Sequence, residues 1–306
     1  MTLPGVTGAS AIETSFVDDY STSVELLVQQ RGSKLRNSVT VKNFTGKGAA
    51  FIEQVGVVDA QVKVSRHSDT PLIPTPYDRR WVYPVDREIA DLVDDQDRLR
   101  QIINPDDPIA KAQAFAIGRS IDDEIIDQIM TANNTGVDGS TSTSFIAGNA
   151  IASASVGMTI NKLREAKYLL ENANVDFDME EVCCIITPKQ KQQLLATTEI
   201  TSSDYNTVKA LAQGEVDTFL GFKFITSTRL SGGPGYVGST AEVANTDLAL
   251  IYAKSGVGLG IWGDVSARID ERPDKGYATQ VYCKATFGAT RLQEEKVISI
   301  ATLNNV

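Results

Sequence analysis

Asp107-Pro108, followed by Ala116-Ile117-Gly118-Arg119-Ser120-Ile121-Asp122-Asp123-Glu124-Ile125-Ile126, decides the fold of this 306-residue chain. Ile117, Ile121, Ile125 and Ile129 recur every four residues, with Ile126 and Met130 beside them, so one helix face is continuously apolar. Arg119, Asp122, Asp123 and Asp127 take the other faces. Asp107 is placed to cap the helix, and Pro108 suits its first position because no N–H is wasted there. Asn134-Thr135-Gly136 supplies the stop. The spacing predicts a helix over 108–133, roughly 39 Å long. Such a helix is a spine on which other layers pack. Its carboxylates read as a polar face paired with Arg119 rather than as acid and base groups.

Upstream, the chain is built for extension. Pro71, Pro74, Pro76 and Pro84 mark residues 70–84 as a connector. Before them, Val39, Val41 and Phe44 lead into Thr45-Gly46-Lys47-Gly48, and β-prone sequence resumes at 50–52 and 55–64. That pattern predicts a hairpin turning at the glycines, within an extended loop over 31–86. Its apolar residues are too few for a core of its own, so it must lie on another surface. Residues 1–30 are polar and acidic, with Glu13, Asp18, Asp19 and Glu25 ahead of the first cation, Arg31. Phe16, Tyr20, Val24 and Leu27 fall at helical spacing, and the segment reads as an arm needing a partner surface.

Downstream, a Ser/Thr/Gly segment fills 134–155. A helix is predicted over 159–173, with Ile160, Leu163, Ala166, Leu169 and Leu170 inward. Val182-Cys183-Cys184-Ile185-Ile186 reads as a buried strand. Thr187-Pro188-Lys189-Gln190 is a capping box, in which the Thr and Gln side chains satisfy each other's backbone amides. The helix it opens carries Leu194 and Leu195, and another short helix precedes Gly214. Leu220, Phe222 and Phe224 alternate as a strand. The remainder is mostly β: a strand over 248–253, the alternation Val281, Cys283, Ala285, Phe287, and a closing strand over 297–301. The fold class is α+β.

This order of parts resembles the major capsid proteins of tailed bacteriophages, whose fold is often called Hong Kong 97-like. The resemblance is carried by Arg80-Trp81-Val82-Tyr83-Pro84-Val85-Asp86-Arg87-Glu88-Ile89-Ala90-Asp91, by Asp94-Asp95-Gln96-Asp97, by the helix quoted above and by Thr286-Phe287-Gly288-Ala289-Thr290-Arg291 with Val297-Ile298-Ser299-Ile300. It implies an N-terminal arm (1–30), an extended hairpin loop (31–86), a peripheral domain with the spine helix (87–155), an axial domain (156–245) and return strands completing both domains (246–306). It further implies hexamers and pentamers of an icosahedral shell enclosing double-stranded DNA. The implied partners are further copies of the chain, a separate scaffolding protein, a portal protein and, optionally, a decoration protein. The implied location is the virion, assembled in the host cytoplasm.

Charge adds an inference of its own. Residues 31–66 hold seven cations and two acids, net +5, whereas 86–107 hold eight acids and three cations, net −5. The hairpin of one copy is therefore expected to dock near the acidic segment of the next. Lys34, Arg36, Lys42 and Lys47 would face Asp91, Asp94, Asp95 and Asp97.

Composition excludes other classes. A net charge of −10 argues against an open nucleic-acid-binding surface. No apolar run approaches a bilayer span, and residues 1–10 lack the pattern of a signal peptide, so folding in a cytoplasm is expected. The three cysteines read as buried free thiols. No catalytic, cofactor-binding or metal-ligating set is expected. The only histidine, His67, has no local triad partners. Gly258-Leu259-Gly260-Ile261-Trp262-Gly263 matches a dinucleotide fingerprint formally, but poor helix material follows, so a close-packed or bent strand is predicted. The aspartates of 91–97 lack the glycine and distal glutamate of a calcium loop. Two alternatives remain: an encapsulin-like compartment shell with enzyme cargo, and a soluble α/β enzyme. Packaged DNA separates the first from a phage shell, and a bound cofactor would favour the second.

Overall fold

The computed structural model describes residues 29–47, 49–63, 65–66, 72–93, 106–196, 218–230 and 246–303. In chain order the strands are β1 (Thr40–Asn43), β2 (Ala49–Val55), β3 (Tyr77–Val82) and β4 (Val85–Val93), followed by helix α1 (Asp106–Met130). Then come β5 (Asn133–Thr135), β6 (Thr141–Thr143), β7 (Ala150–Ile151), α2 (Ile160–Asn172), β8 (Val182–Ile186) and α3 (Pro188–Ala196). The chain closes with β9 (Thr218–Phe219), β10 (Phe222–Thr226), β11 (Thr246–Ala253), β12 (Val257–Arg272), β13 (Ala278–Arg291) and β14 (Val297–Leu303).

The spine forms as its isoleucines dictate. Ile117, Ile121, Ile125, Ile126 and Ile129 are all buried in one core with residues of β12 and β13. Burying each such side chain contributes about 1.5–3 kcal/mol. The ends differ from the sequence expectation. The helix opens at Asp106, so Asp107 falls within its first turn rather than ahead of it. It stops at Met130 because the Asn133 side chain takes the carbonyls of Gln128 and Thr131, and 133–135 become a strand.

The central sheet, ordered β7-β14-β11-β8-β10-β9, is covered on both faces. Cys183, Ile185, Leu250 and Tyr252 point into the spine core. Val182, Cys184, Ile186, Ala249 and Ile251 point to α2 and α3. Two buried faces explain why β8 is apolar at every position. The capping box forms as read: Thr187 N–H donates to Gln190 Oε1 (2.9 Å), and Gln190 N–H to Thr187 Oγ1 (3.3 Å). The short helix expected before Gly214 lies outside the described residues.

The hairpin is where pairing departs from expectation. β1 does not pair with β2 across the glycines. It runs parallel to β12, at the edge of a sheet ordered β1-β12-β13-β4. β2 pairs instead with β3, in a second sheet ordered β2-β3-β5-β6. Leu35 and Val39, just ahead of β1, are buried in the spine core and hold β1 against β12. Alternation marks a strand but does not name its partner. The strand expected to run to residue 64 also stops, at Val55.

Candidate assembly interface

Asp122 ties the start of the described chain to the spine. Its carboxylate is fully buried and accepts from Gln30 Nε2 (2.5 Å), Ser33 Oγ (2.5 Å), Lys34 N–H (3.1 Å) and Leu35 N–H (3.1 Å). One turn earlier, Gly118 lets segment 29–35 approach: a Cβ there would lie 2.6 Å from Gly32 Cα. The expected pairing of these carboxylates with Arg119 does not occur. Arg119 donates to Gln29 Oε1 and the Gln30 carbonyl, Asp123 pairs with Arg229, and Glu124 pairs with Arg87 at 3.1 Å. The segment laid against the helix takes both Asp122 and Arg119, which periodicity along the helix does not reveal.

The base of the hairpin is locked by buried charge. Arg80 on β3 donates to the Leu292 carbonyl (3.0 Å) and pairs with Glu294 at 2.7 Å, both side chains being buried. Arg291, fully buried, donates to the Ile129 carbonyl at the end of the spine (2.6 Å) and to the Thr143 carbonyl (3.0 Å). Aromatic packing adds to this. Phe51 sits over Gly258, where a Cβ would be 2.5 Å from the ring, and Phe44 packs against Phe51 and Trp262. The glycine-rich run is thus a close-packed strand, bent by register shifts around Gly263.

Beyond this base the loop leaves the body. Gly56 N–H bonds the Pro76 carbonyl (2.8 Å), closing the neck. Past the neck, Val57, Val62 and Leu72 are 91%, 87% and 95% exposed, and Tyr77 at its foot is also exposed. The sequence reading took 55–64 as a strand and missed this exposure. The signal was present in Val58-Asp59-Ala60-Gln61-Val62-Lys63-Val64, an amphipathic strand pattern.

The anticipated cations are partly engaged within the chain. Arg36 makes a two-pronged pair with Asp264 (3.1 and 3.0 Å). Lys34 donates to the Thr226 carbonyl, and Lys42 to the Phe51 carbonyl while lying over that ring. Lys47 is exposed. Among the described residues none of the four pairs with an acid of 86–93. There Asp86 accepts from Thr286, Glu88 from Tyr282, and Asp91 from the Leu92 amide. Asp94, Asp95 and Asp97 lie outside the described residues, as does His67.

An open groove of about 500 Å³ runs between β1 and the 179–181 and 254–255 turns. Burial alone would raise the Glu180 carboxyl at its rim. Bonds from Ser255 Oγ (2.7 Å) and Lys296 Nζ (2.9 Å) outweigh it and hold that carboxyl below the usual range. Burial pushes the Cys183 thiol up to about 11, and Cys184 higher still, so neither is a ready nucleophile. Among the described residues no group of His, Cys, Asp and Glu is arranged to hold a metal ion, and no helix is long and apolar enough to cross a membrane.

The family model for phage capsid proteins matches residues 12–304. The chain belongs to the phage capsid protein family. The capsid chain shares its fold with solved shells. One is the capsid of cyanophage P-SCSP1u, at 17% identity over 96% of this chain and 95% of that one, TM-score 0.75. Another is the acidic stable capsid of Helicobacter pylori bacteriophage KHP30, at 11% identity over 100% of both chains, TM-score 0.74. A third is the capsid of a native GTA particle, at 11% identity over 98% and 100%, TM-score 0.70. No curated protein matches the sequence.

Proposed function

We propose that this major capsid protein works as a self-assembling subunit, forming the hexamers and pentamers of an icosahedral shell around the double-stranded DNA of a tailed phage. The observation that carries this reading is the loop past Gly56, clamped at its neck and nearly bare at Val57, Val62 and Leu72. Such residues gain burial only on another molecule. Each contact is modest, but a closed lattice makes many at once.

In this reading the arm (1–30), hairpin loop (31–86), peripheral domain (87–155), axial domain (156–245) and return strands (246–306) are the working parts. The cations Lys34, Arg36, Lys42 and Lys47 set the register of the hairpin against the 86–107 segment of the next copy, and salt weakens that docking. A scaffolding protein directs assembly in the host cytoplasm, a portal protein fills one vertex, and the finished subunit resides in the virion. DNA is held by enclosure, and the net charge of −10 limits its adhesion to the wall. No chemical step is assigned to the subunit.

The test is negative-stain electron microscopy with light scattering on purified protein, alone and with its scaffolding protein. Closed shells, sheets or separate hexamers and pentamers are expected. A particle that stays monomeric or dimeric under both conditions overturns the reading.

A further inference from the structure

Glu294 opens the turn Glu294–Lys296 between β13 and β14, and the backbone is pinned around it. Leu292 N–H donates to the Gly256 carbonyl (2.8 Å), and Asn149 Nδ2 donates to the Glu294 carbonyl (3.0 Å). Movement here therefore belongs to the side chain. That side chain is shared unequally between two arginines. Glu294 Oε2 holds Arg80 Nη2 of the hairpin at 2.7 Å. Glu294 Oε1 lies 3.7 Å from Arg291 Nε, and both atoms are buried with no hydrogen-bond partner among the described residues. Closing that 3.7 Å gap to an ordinary bond of ~2.9 Å takes a shift of about 0.8 Å.

Arg80 has a second acid within reach. Asp78 Oδ1 is committed to the Arg79 and Gly136 amides (2.8 and 3.1 Å), while Oδ2 stands 3.5 Å from Arg80 Nη1. Asp78, Arg80 and Glu294 all line an open cavity of about 240 Å³ beside the hairpin neck, so the Arg80 guanidinium has room to turn. On the far side, Arg291 Nη1 donates to the carbonyls of Ile129 (2.6 Å) and Thr131 (3.2 Å), where the spine ends. One carboxylate thus touches the hairpin through Arg80 and the spine through Arg291.

We propose that Glu294 is the pivot of a two-position relay that couples the base of the hairpin to the end of the spine. In the first position Glu294 bonds Arg80, and Arg291 stands off. In the second, Glu294 bonds Arg291 Nε, and Arg80 turns to Asp78 Oδ2. Every charge keeps a partner in both positions, so the exchange avoids the stranded charge that makes breaking a buried pair costly. Drawing Arg291 toward Glu294 pulls on the carbonyls at the spine end as the hairpin base is released. The device lies within one chain and stands apart from the shell-building reading.

Relaxation dispersion of the arginine Nε–H groups, measured by NMR on the full-length free subunit, tests it, because such exchange falls in the microsecond-to-millisecond range. Arg80 and Arg291 are expected to show dispersion with one shared rate. Asp78→Asn keeps an oxygen for the Arg79 and Gly136 amides but removes the charge that receives Arg80. It should abolish the dispersion at both arginines, including Arg291, which Asp78 does not touch. Glu53→Gln, which discharges the neighbouring pair with Arg79, should leave both unchanged. Absence of dispersion in the wild type, unequal rates at the two arginines, or an Asp78→Asn effect confined to Arg80 overturns the relay.

Discussion

Replacing Asp122 with alanine should unfasten the start of the hairpin from the spine. The fully buried carboxylate has four donors around it and no cation among them. Two are backbone amides, Lys34 and Leu35, which cannot turn away once the acceptor is gone. Each buried amide left unmet costs about 1–3 kcal/mol. Gln30 and Ser33 can swing toward water and lose less. The sum is about 3–5 kcal/mol, a large share of the 5–15 kcal/mol that holds a typical domain together. Urea unfolding of the free subunit measures it. Amide exchange localises it, since residues 29–43 should lose protection before the rest. Alanine in place of Asp122 that costs under about 1 kcal/mol, with 29–43 still protected, refutes the idea that this carboxylate is the anchor.

Three further outcomes are expected. Gly258→Ala drives a Cβ into the Phe51 ring, so it should cost about 1–3 kcal/mol and disturb Trp262 fluorescence, read against the wild type in the same denaturation series. Glu294→Ala strands Arg80 and Arg291 in the interior and should cost about 3–5 kcal/mol, seen as a lower calorimetric melting temperature. Glu180, its carboxyl held below the usual range, contributes stability that is present above the ordinary glutamate pKa and is lost as pH falls through the lowered one. Thermal melts across acid pH should therefore fall less steeply in Glu180→Gln than in the wild type.

What the sequence determined by itself was a set of elements whose signal is a local period. The isoleucines of α1, the Thr187–Gln190 capping box, the apolar run of β8 and the alternation of β13 all repeat within a turn or a pleat, so the residues carry the signal themselves. The exclusion of a dinucleotide site at 258–263 was equally local. Tertiary structure alone decided the partners. An alternating strand looks the same whichever edge it meets, so nothing near β1 announces β12, and nothing near β2 announces β3. Asp122 and Arg119 lie one turn apart and read as a helix pair until a segment some ninety residues distant claims both. The exposure of 57–63 was hidden for the same reason: alternation suggests a strand, but whether a segment pairs depends on where long-range packing places it.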